Sequence, residues 1–451
     1  MKKTIVLLLA CLLVSATVFA AGTAEPKATE VTKGKTVVRI WTIDRHDATF
    51  WTNKFKEYNE TNSDNIEVKY EIYSDNYQQA IDMAFQTGEA PDIMKYDDYY
   101  FKYTGQGKFL DLMPMLDAAT KKMIEPVMFE GHNLDNGKLY YIPSGNTCMR
   151  LFYNKTILDR LGLKVPSTLE EMVDVAKTVT TKLSGEGIYG FACNLKSPTS
   201  GLKRSFEPMV ELATDIRLGY DFSTGRYDFS KHAPVVNAWK DLIKYGFPGN
   251  ESLDIDPLRS QFAVGKIAMY FSYTHAEPGV YANQFPMKEG QDWGCAYIPT
   301  PAGIINGGSY FNVTPAFLFN AAGKNIPSAW KAYTAVLLNP INLKEHFEQG
   351  LGISLIPQVI EMTNMGQKYL ENEALLKSKN DVLWPLTPAE KYPQGVVVEG
   401  NGMYDTLGAM IAGQIDVEKG LADLTKRFNK ALDAGIKEGL AQPIIIPGLS
   451  H

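Results

Sequence analysis

The side chains best suited to chemistry lie just past short apolar runs. Trp41, Asp44 and Arg45 follow one such run, Tyr96, Asp97 and Asp98 follow another, and Tyr273 and His275 follow a third. Aromatic rings beside carboxylates and amides suit carbohydrate. The C–H face of a sugar ring stacks on a π surface, and its hydroxyls hydrogen-bond to acidic and amide groups. With 24 Tyr, 21 Phe and 6 Trp, most aromatics must be core, so position decides which are candidates. Trp51, Trp239 and Trp330 fall on helical stripes and read as core, whereas Trp41, Tyr96, Trp384 and Tyr404 read as site residues.

Catalytic signatures are absent. The sequence has no Gly-x-Ser-x-Gly elbow, phosphate-binding Gly-x-x-x-x-Gly-Lys-Ser/Thr loop, His-Glu-x-x-His pair or calcium loop. None of the 6 histidines is paired at metal-ligand spacing, so neither a metal nor a cofactor is expected. The neighbours Asp97 and Asp98 are a weak glycosidase signal, since adjacent residues of an extended segment point apart.

The elements that place these residues alternate. Val37 to Trp41 is nearly continuous apolar sequence, Phe50, Trp51, Phe55 and Tyr58 recur at helical spacing behind Asp47, and Ile66 to Ile72 alternates. A helix over 77–86, the turn Gly88 to Pro91 and a strand from Asp92 complete a strand-helix-strand-helix-strand order, which implies a parallel sheet with right-handed crossovers. Ligands of such sheets meet the loops after the strands' carboxyl ends, where Trp41 to His46 and Lys95 to Tyr99 fall.

Gly137 to Lys155 reads as a crossing between two lobes. Tyr140 to Pro143 ends one unit, Ser144 to Thr147 is a turn-rich break that puts Asn146 and Thr147 towards a cleft, and Cys148 to Tyr153 is a strand of the second unit. That unit continues with a helix from Leu169, capped by Ser167 and Glu170, a strand over Ile188 to Leu195, a helix behind Ser230, and the strand Ile267 to Phe271. Gly294 to Pro301 is a second crossing. Asn306 to Tyr310, with Gly308, Ser309 and Tyr310, is permissive enough to bring backbone amides against a ligand, and Phe311 to Phe319 follows as a strand. The helix over 416–440 reads as packing only.

Length and composition fit a soluble protein of two or three domains, and a formal charge of −6 opposes nucleic acid. Lys2 and Lys3 before the apolar run Ile5 to Val18, ending at Val18-Phe19-Ala20, read as a signal peptide over 1–21 with 22–35 as a flexible tether. Its removal takes the charge from −6 to −8 by the loss of those two lysines. Leu8 to Cys11 resembles a lipoprotein box, but cleavage there would leave apolar sequence beside the lipid. Cys148, Cys193 and Cys295 fit either three buried thiols or one bridge, Cys148 to Cys193.

Several motifs in order resemble the extracellular solute-binding proteins of ATP-driven importers, in the carbohydrate-binding branch that includes maltose-binding protein. They are Gly88 to Ile93, Gly137 to Tyr140 followed by Leu151 to Lys155, Leu161 to Leu163 with Pro166 to Glu171, Phe262-x-x-Gly265 to Met269, and Gly413-Gln414. The resemblance implies an α/β, two-lobe type II periplasmic-binding-protein fold, each lobe a mostly parallel sheet flanked by helices. It divides the chain into 36–142 plus about 300–345 as the first lobe and 143–299 plus about 346–443 as the second. It also implies a monomer that closes on a sugar or oligosaccharide in the periplasm and docks on a membrane permease. It carries ligand positions onto Trp41 to His46, Tyr96 to Asp98, Asn146, Thr147, Phe206, His275, Gly308 to Phe311 and Tyr404. The chain departs from the family where Tyr273-Thr274-His275 replaces a short loop with Trp, and in Trp384 within a long segment before Tyr404. Two other readings are a binding protein for a polyamine or another cation, using Asp44, Asp97 and Asp98, and a secreted glycoside hydrolase.

Overall fold

The computed structural model describes residues 34–73, 76–97, 99–301, 311–313, 316–378, 381 and 383–449. The expected signal peptide, most of the tether, Asp98, Gly308, Ser309 and Tyr310 lie outside the described residues.

The first sheet forms from the alternating N-terminal segment. Strand β1 (Thr36–Thr42) pairs in parallel with β2 (Ile66–Ile72) and β3 (Ile93–Lys95). Val38 and Ile40 face a cluster containing Phe50, Trp51 and Phe55 of helix α1 (Ala48–Thr61), while Trp41 faces another with Tyr77 and Ile81 of α2 (Tyr77–Thr87). Burial on both faces explains the unbroken apolar run of β1. Gly88 ends α2 at φ 76°, a left-handed cap that glycine adopts without a Cβ clash.

Asp47 precedes α1 at the N-cap position, but its side chain does not cap the helix. Its carboxylate accepts from Trp51 Nε1 at 2.9 Å and lies 3.0 Å from His346 Nε2 instead. Burial alone would raise the Asp47 carboxyl, but His46, His346 and Lys95 more than offset it and hold the group well below its ordinary range.

Strand β4 (Gly145–Asn154) is the axis of the second sheet. It pairs antiparallel with β5 (Met269–Tyr273) and β6 (Trp293–Ala296) along 149–154, and with β7 (Phe311–Val313) and β9 (Ile353–Ser354) along 145–148. Between these in sequence, β8 (Phe317–Phe319) returns to the first sheet, antiparallel to β3. The turn-rich break expected over Ser144 to Thr147 is therefore corrected: Gly145, Asn146 and Thr147 are buried strand residues. The polar side chains fit because the crossing supplies partners. Asn146 Nδ2 donates to the Ile353 and Ser354 carbonyls at 3.4 and 3.3 Å, and Thr147 Oγ1 accepts from His275 N–H at 3.4 Å.

The named ladders of this second sheet are all antiparallel, whereas the first sheet has two parallel ladders and one antiparallel. Segments returning from the second unit run back along β4, and parallel pairing survives only as bridges such as Tyr189 to Ile267 and Phe191 to Gly246 among the described residues. For that reason Ile188 to Leu195 is bridged chain and not the full strand its apolar character suggested. The capping box also shifts by one residue: Thr168 Oγ1 accepts from Glu171 N–H at 3.1 Å and caps α3 (Leu169–Leu183), while Ser167 also bonds to the Glu171 carboxylate. Cys148, Cys193 and Cys295 are buried free thiols, so the Cys148 to Cys193 bridge is not formed.

Trp239 sits at the centre of the largest apolar cluster, which α5 (Ala233–Lys244) shares with α3, α4 (Glu207–Thr214), α7 (Met403–Ile411) and the C-terminal α8 (Val417–Lys437). Helix α6 (Ile326–Val336) covers the first sheet through Ala329, Ala332, Tyr333 and Val336. No helix among the described residues is long and apolar enough to cross a membrane.

Candidate functional site

A cleft of about 350 Å³ opens between the two sheets. Tyr96 reaches it from the carboxyl end of β3 and Tyr141 from the segment before β4, their rings 4.6 Å apart. Met149 of β4, Tyr273 at the end of β5, and Met403 and Tyr404 in the first turn of α7 form the other wall. Rings thus face the cleft from both sheets, with Leu383, Leu386 and Pro393 between them.

The polar floor comes from α4 and the chain beyond it. Glu207 and Glu211 stand four residues apart, on one face of the helix, and each is 2% exposed. Glu207 Oε1 accepts from Leu218 N–H at 2.7 Å, and Glu211 Oε1 accepts from Arg217 Nη1 at 3.2 Å. The second oxygen of each carboxyl has no hydrogen-bond partner, and neither does the Tyr404 hydroxyl. Arg217 forks onto Glu390, with Nη2 and Nε 2.6 and 3.3 Å from its two oxygens.

These contacts set the charges. Burial pushes Glu207 up to about 7, opposed by the Leu218 amide and Arg217. Burial likewise pushes Glu211 up to about 8, with Arg217 opposing and Glu207 adding to the rise. Burial acts on Glu390 too, but the Arg217 fork overcomes it and holds that carboxyl below its ordinary value. His132, also on the lining, is brought down to about 4 by burial and by Arg217, so it is neutral near pH 7.

Of the residues expected from sequence, Tyr96, Tyr273 and Tyr404 meet in this cleft. Trp41 is 6% exposed and packs inside the first lobe against Tyr73, ring centroids 4.6 Å apart, so it is core. Phe206 and Trp384 are likewise buried in the second lobe's apolar cluster, and Leu383 takes the cleft position beside Trp384. Asn146 and Thr147 serve the crossing strands. Asp44 is ion-paired with Lys95, which compensates its charge. Arg45 is an exposed residue that reaches Asp256 at 3.4 Å, and His275 meets His46 with ring centroids 5.1 Å apart. Asp97 lies just past Tyr96 at the carboxyl end of β3 and is half-buried.

Glu207, Glu211, Arg217 and Glu390 were not anticipated. The available signal was the pair of glutamates at helical spacing in the otherwise apolar stretch Glu207-Pro208-Met209-Val210-Glu211-Leu212, beside Phe206. Among the described residues no group of His, Cys, Asp and Glu is arranged to hold a metal ion.

The family model described as bacterial extracellular solute-binding protein matches residues 54–374. Among solved structures, the chain is similar to maltose-bound MalE3 of T. maritima, with a TM-score of 0.71, 18% identity and coverage of 88% of this chain and 100% of that one. It is similar to a solute-binding protein of an ABC transporter from Thermotoga lettingae bound with α-D-tagatose, with a TM-score of 0.69, 18% identity, and coverage of 88% and 100%. It is also similar to the GacH receptor of Streptomyces glaucescens, whose structures include a complex with acarbose, with a TM-score of 0.67, 16% identity, and coverage of 88% and 99%.

Proposed function

The chain belongs to the bacterial extracellular solute-binding proteins, and from that premise we propose that it is secreted to the periplasm, captures a sugar or oligosaccharide between its two lobes and delivers it to an ABC permease. The carrying observation is the set of tyrosines facing one cleft from both sheets, Tyr96 and Tyr141 on one side, Tyr273 and Tyr404 on the other. A flat, hydroxylated ring entering there stacks on these faces and reaches the polar floor at Glu207, Glu211 and Arg217. The similar proteins bound with maltose, α-D-tagatose and acarbose support this reading.

Capture needs no covalent step. A ligand that touches both walls binds the closed form better than the open one and shifts the population by that difference in affinity. The lobes we assign are residues 36–142 with 300–345 and residues 143–299 with 346–443, with β4 as the principal crossing.

A thermal-shift screen against monosaccharides, oligosaccharides, polyols, amino acids and polyamines tests the proposal, because a ligand of the folded form raises its melting point. Shifts confined to related sugars are expected. Shifts with polyamines alone would contradict it, and turnover of chromogenic glycosides would favour a hydrolase.

A further inference from the structure

The cleft holds three buried polar groups with no hydrogen-bond partner, two of them carboxyl oxygens. Glu207 Oε2, Glu211 Oε2 and the Tyr404 hydroxyl are buried without partners. They are close enough for their charges to interact, and all three residues line the same cavity. A buried carboxylate oxygen without a donor is unfavourable by far more than an exposed one. The lining carries three carboxylates, Glu207, Glu211 and Glu390, against Arg217 and Lys203, which leaves one negative charge in excess when all are ionised.

Beyond the lining, the further cation Arg204 interacts with Glu277 as well as with Tyr273. Arg217 is committed to Glu390 and to one oxygen of Glu211. Burial keeps His132 on the lining neutral, and burial brings His232, 4.0 Å from Glu207, down to about 3, so it is neutral as well. Tyr273 contributes its ring face, with the Arg204 guanidinium 5.1 Å from the ring centroid. Aromatic faces beside acceptor oxygens favour an ammonium over a hydroxyl. The ammonium brings three donors and a positive charge, and the charge is attracted by the rings as well as the carboxylates.

We propose that the solute carries a free amine at the end held by the second lobe, an amino-sugar unit whose ammonium sits against Glu207 Oε2, Glu211 Oε2 and the Tyr404 hydroxyl. This rests on the carbohydrate reading of the cleft. Both glutamates then ionise as the ammonium binds, and protons leave to the buffer.

Isothermal titration of the purified protein near pH 6, where the amine arrives as an ammonium and Glu207 and Glu211 still hold their protons, compares glucosamine oligomers with their N-acetylated and neutral glucose counterparts of equal length. The glucosamine oligomers are expected to bind about tenfold tighter or more, the scale of a charge-assisted hydrogen bond. Their binding should release protons, read from the dependence of the heat on buffer ionisation enthalpy. In Glu207→Gln and Glu211→Gln, with melting curves showing retained folding, the preference should collapse. Should either variant fail to fold, the wild-type comparison and proton count decide alone. Equal or tighter binding of the neutral or N-acetylated sugars, or binding without proton release, would overturn the amine assignment and leave the carbohydrate reading standing. Binding of a simple diamine with no sugar bound at all would overturn both.

Discussion

At the residue scale the glutamate pair sets a measurable pH dependence. Because Glu207 and Glu211 titrate higher in the folded protein than the ordinary carboxylate near 4.5, the unfolded chain binds fewer protons as pH rises above that value. Stability therefore falls with rising pH from about 4.5 until the folded carboxyls ionise near 7 and 8, and changes no further from this source. Asp47 acts oppositely. Its depressed carboxyl contributes stability above the ordinary aspartate range that is lost as pH falls below it. Chemical denaturation across pH 5 to 8 in wild type and in the Glu207→Gln/Glu211→Gln double variant isolates the first effect. The variant is expected to show a flatter profile over that window, and an unchanged slope would contradict the assigned shifts.

Residue-level reading of the sequence reached the cleft tyrosines because Tyr96 and Tyr273 follow strand ends, where loop residues gather around ligands. It missed Glu207 and Glu211 although they stand four apart in an otherwise apolar stretch, because two acids at helical spacing also fit the solvent side of a helix. Only the packing of α4 against the cleft reveals that the face is buried. Trp41 was misjudged for the complementary reason. The strand-end rule places it near the ligand, but the side-chain alternation of β1 turns it into the cluster around Tyr77 and Ile81.

At the element scale, the periodic helices were legible and their ends less so. The stripe Leu169, Met172, Ala176 and Val179 does pack into the second lobe, yet the cap is Thr168 and not Ser167. The Ser167 hydroxyl and the Thr168 backbone N–H both donate to the Glu171 carboxylate, so the pattern alone could not choose between the two residues. Thr168→Ala is expected to destabilise the protein by about 1 kcal/mol in urea titration, and Ser167→Ala by clearly less. The crossing was legible as a place and not as a conformation. Gly145, Asn146 and Thr147 carry turn propensity, but ladders from β7 and β9, arriving from more than a hundred residues away, hold them extended. A long-range partner of this kind leaves no local mark in sequence.

At the scale of the whole molecule, β4 is the axis of the second sheet and is anchored by a wholly buried ion pair. Arg150 on β4 donates to Asp381 at 2.7 Å and to the Ala374 carbonyl at 2.7 Å, which ties the crossing to the distant 370–381 segment. Removing one partner strands the other charge in the interior. Arg150→Met is therefore expected to cost about 3–5 kcal/mol of stability in denaturant titration, whereas the same change at exposed Arg160, paired with Glu186, should leave the midpoint nearly unmoved. The loop after β1 also meets the second unit through Arg45 with Asp256 and His46 with His275, and His275 in turn lies beside Tyr273 of the cleft, ring centroids 5.8 Å apart. The fold was legible at this scale because the order of strands and helices constrains topology strongly. The composition of the cleft was not, because it is assembled from distant stretches of chain near residues 96, 141, 207, 273, 386 and 404.

Sugar held between the lobes is the central claim, and it requires both walls to contribute. Calorimetric titration with the sugar that most raises the melting point, on wild type, Tyr96→Ala, Tyr404→Ala and the double variant, tests it most directly. Each single change is expected to weaken binding by about 1–3 kcal/mol with the fold retained, and the double variant by more than either alone. Saturable sugar binding of undiminished affinity in the double variant would contradict the account.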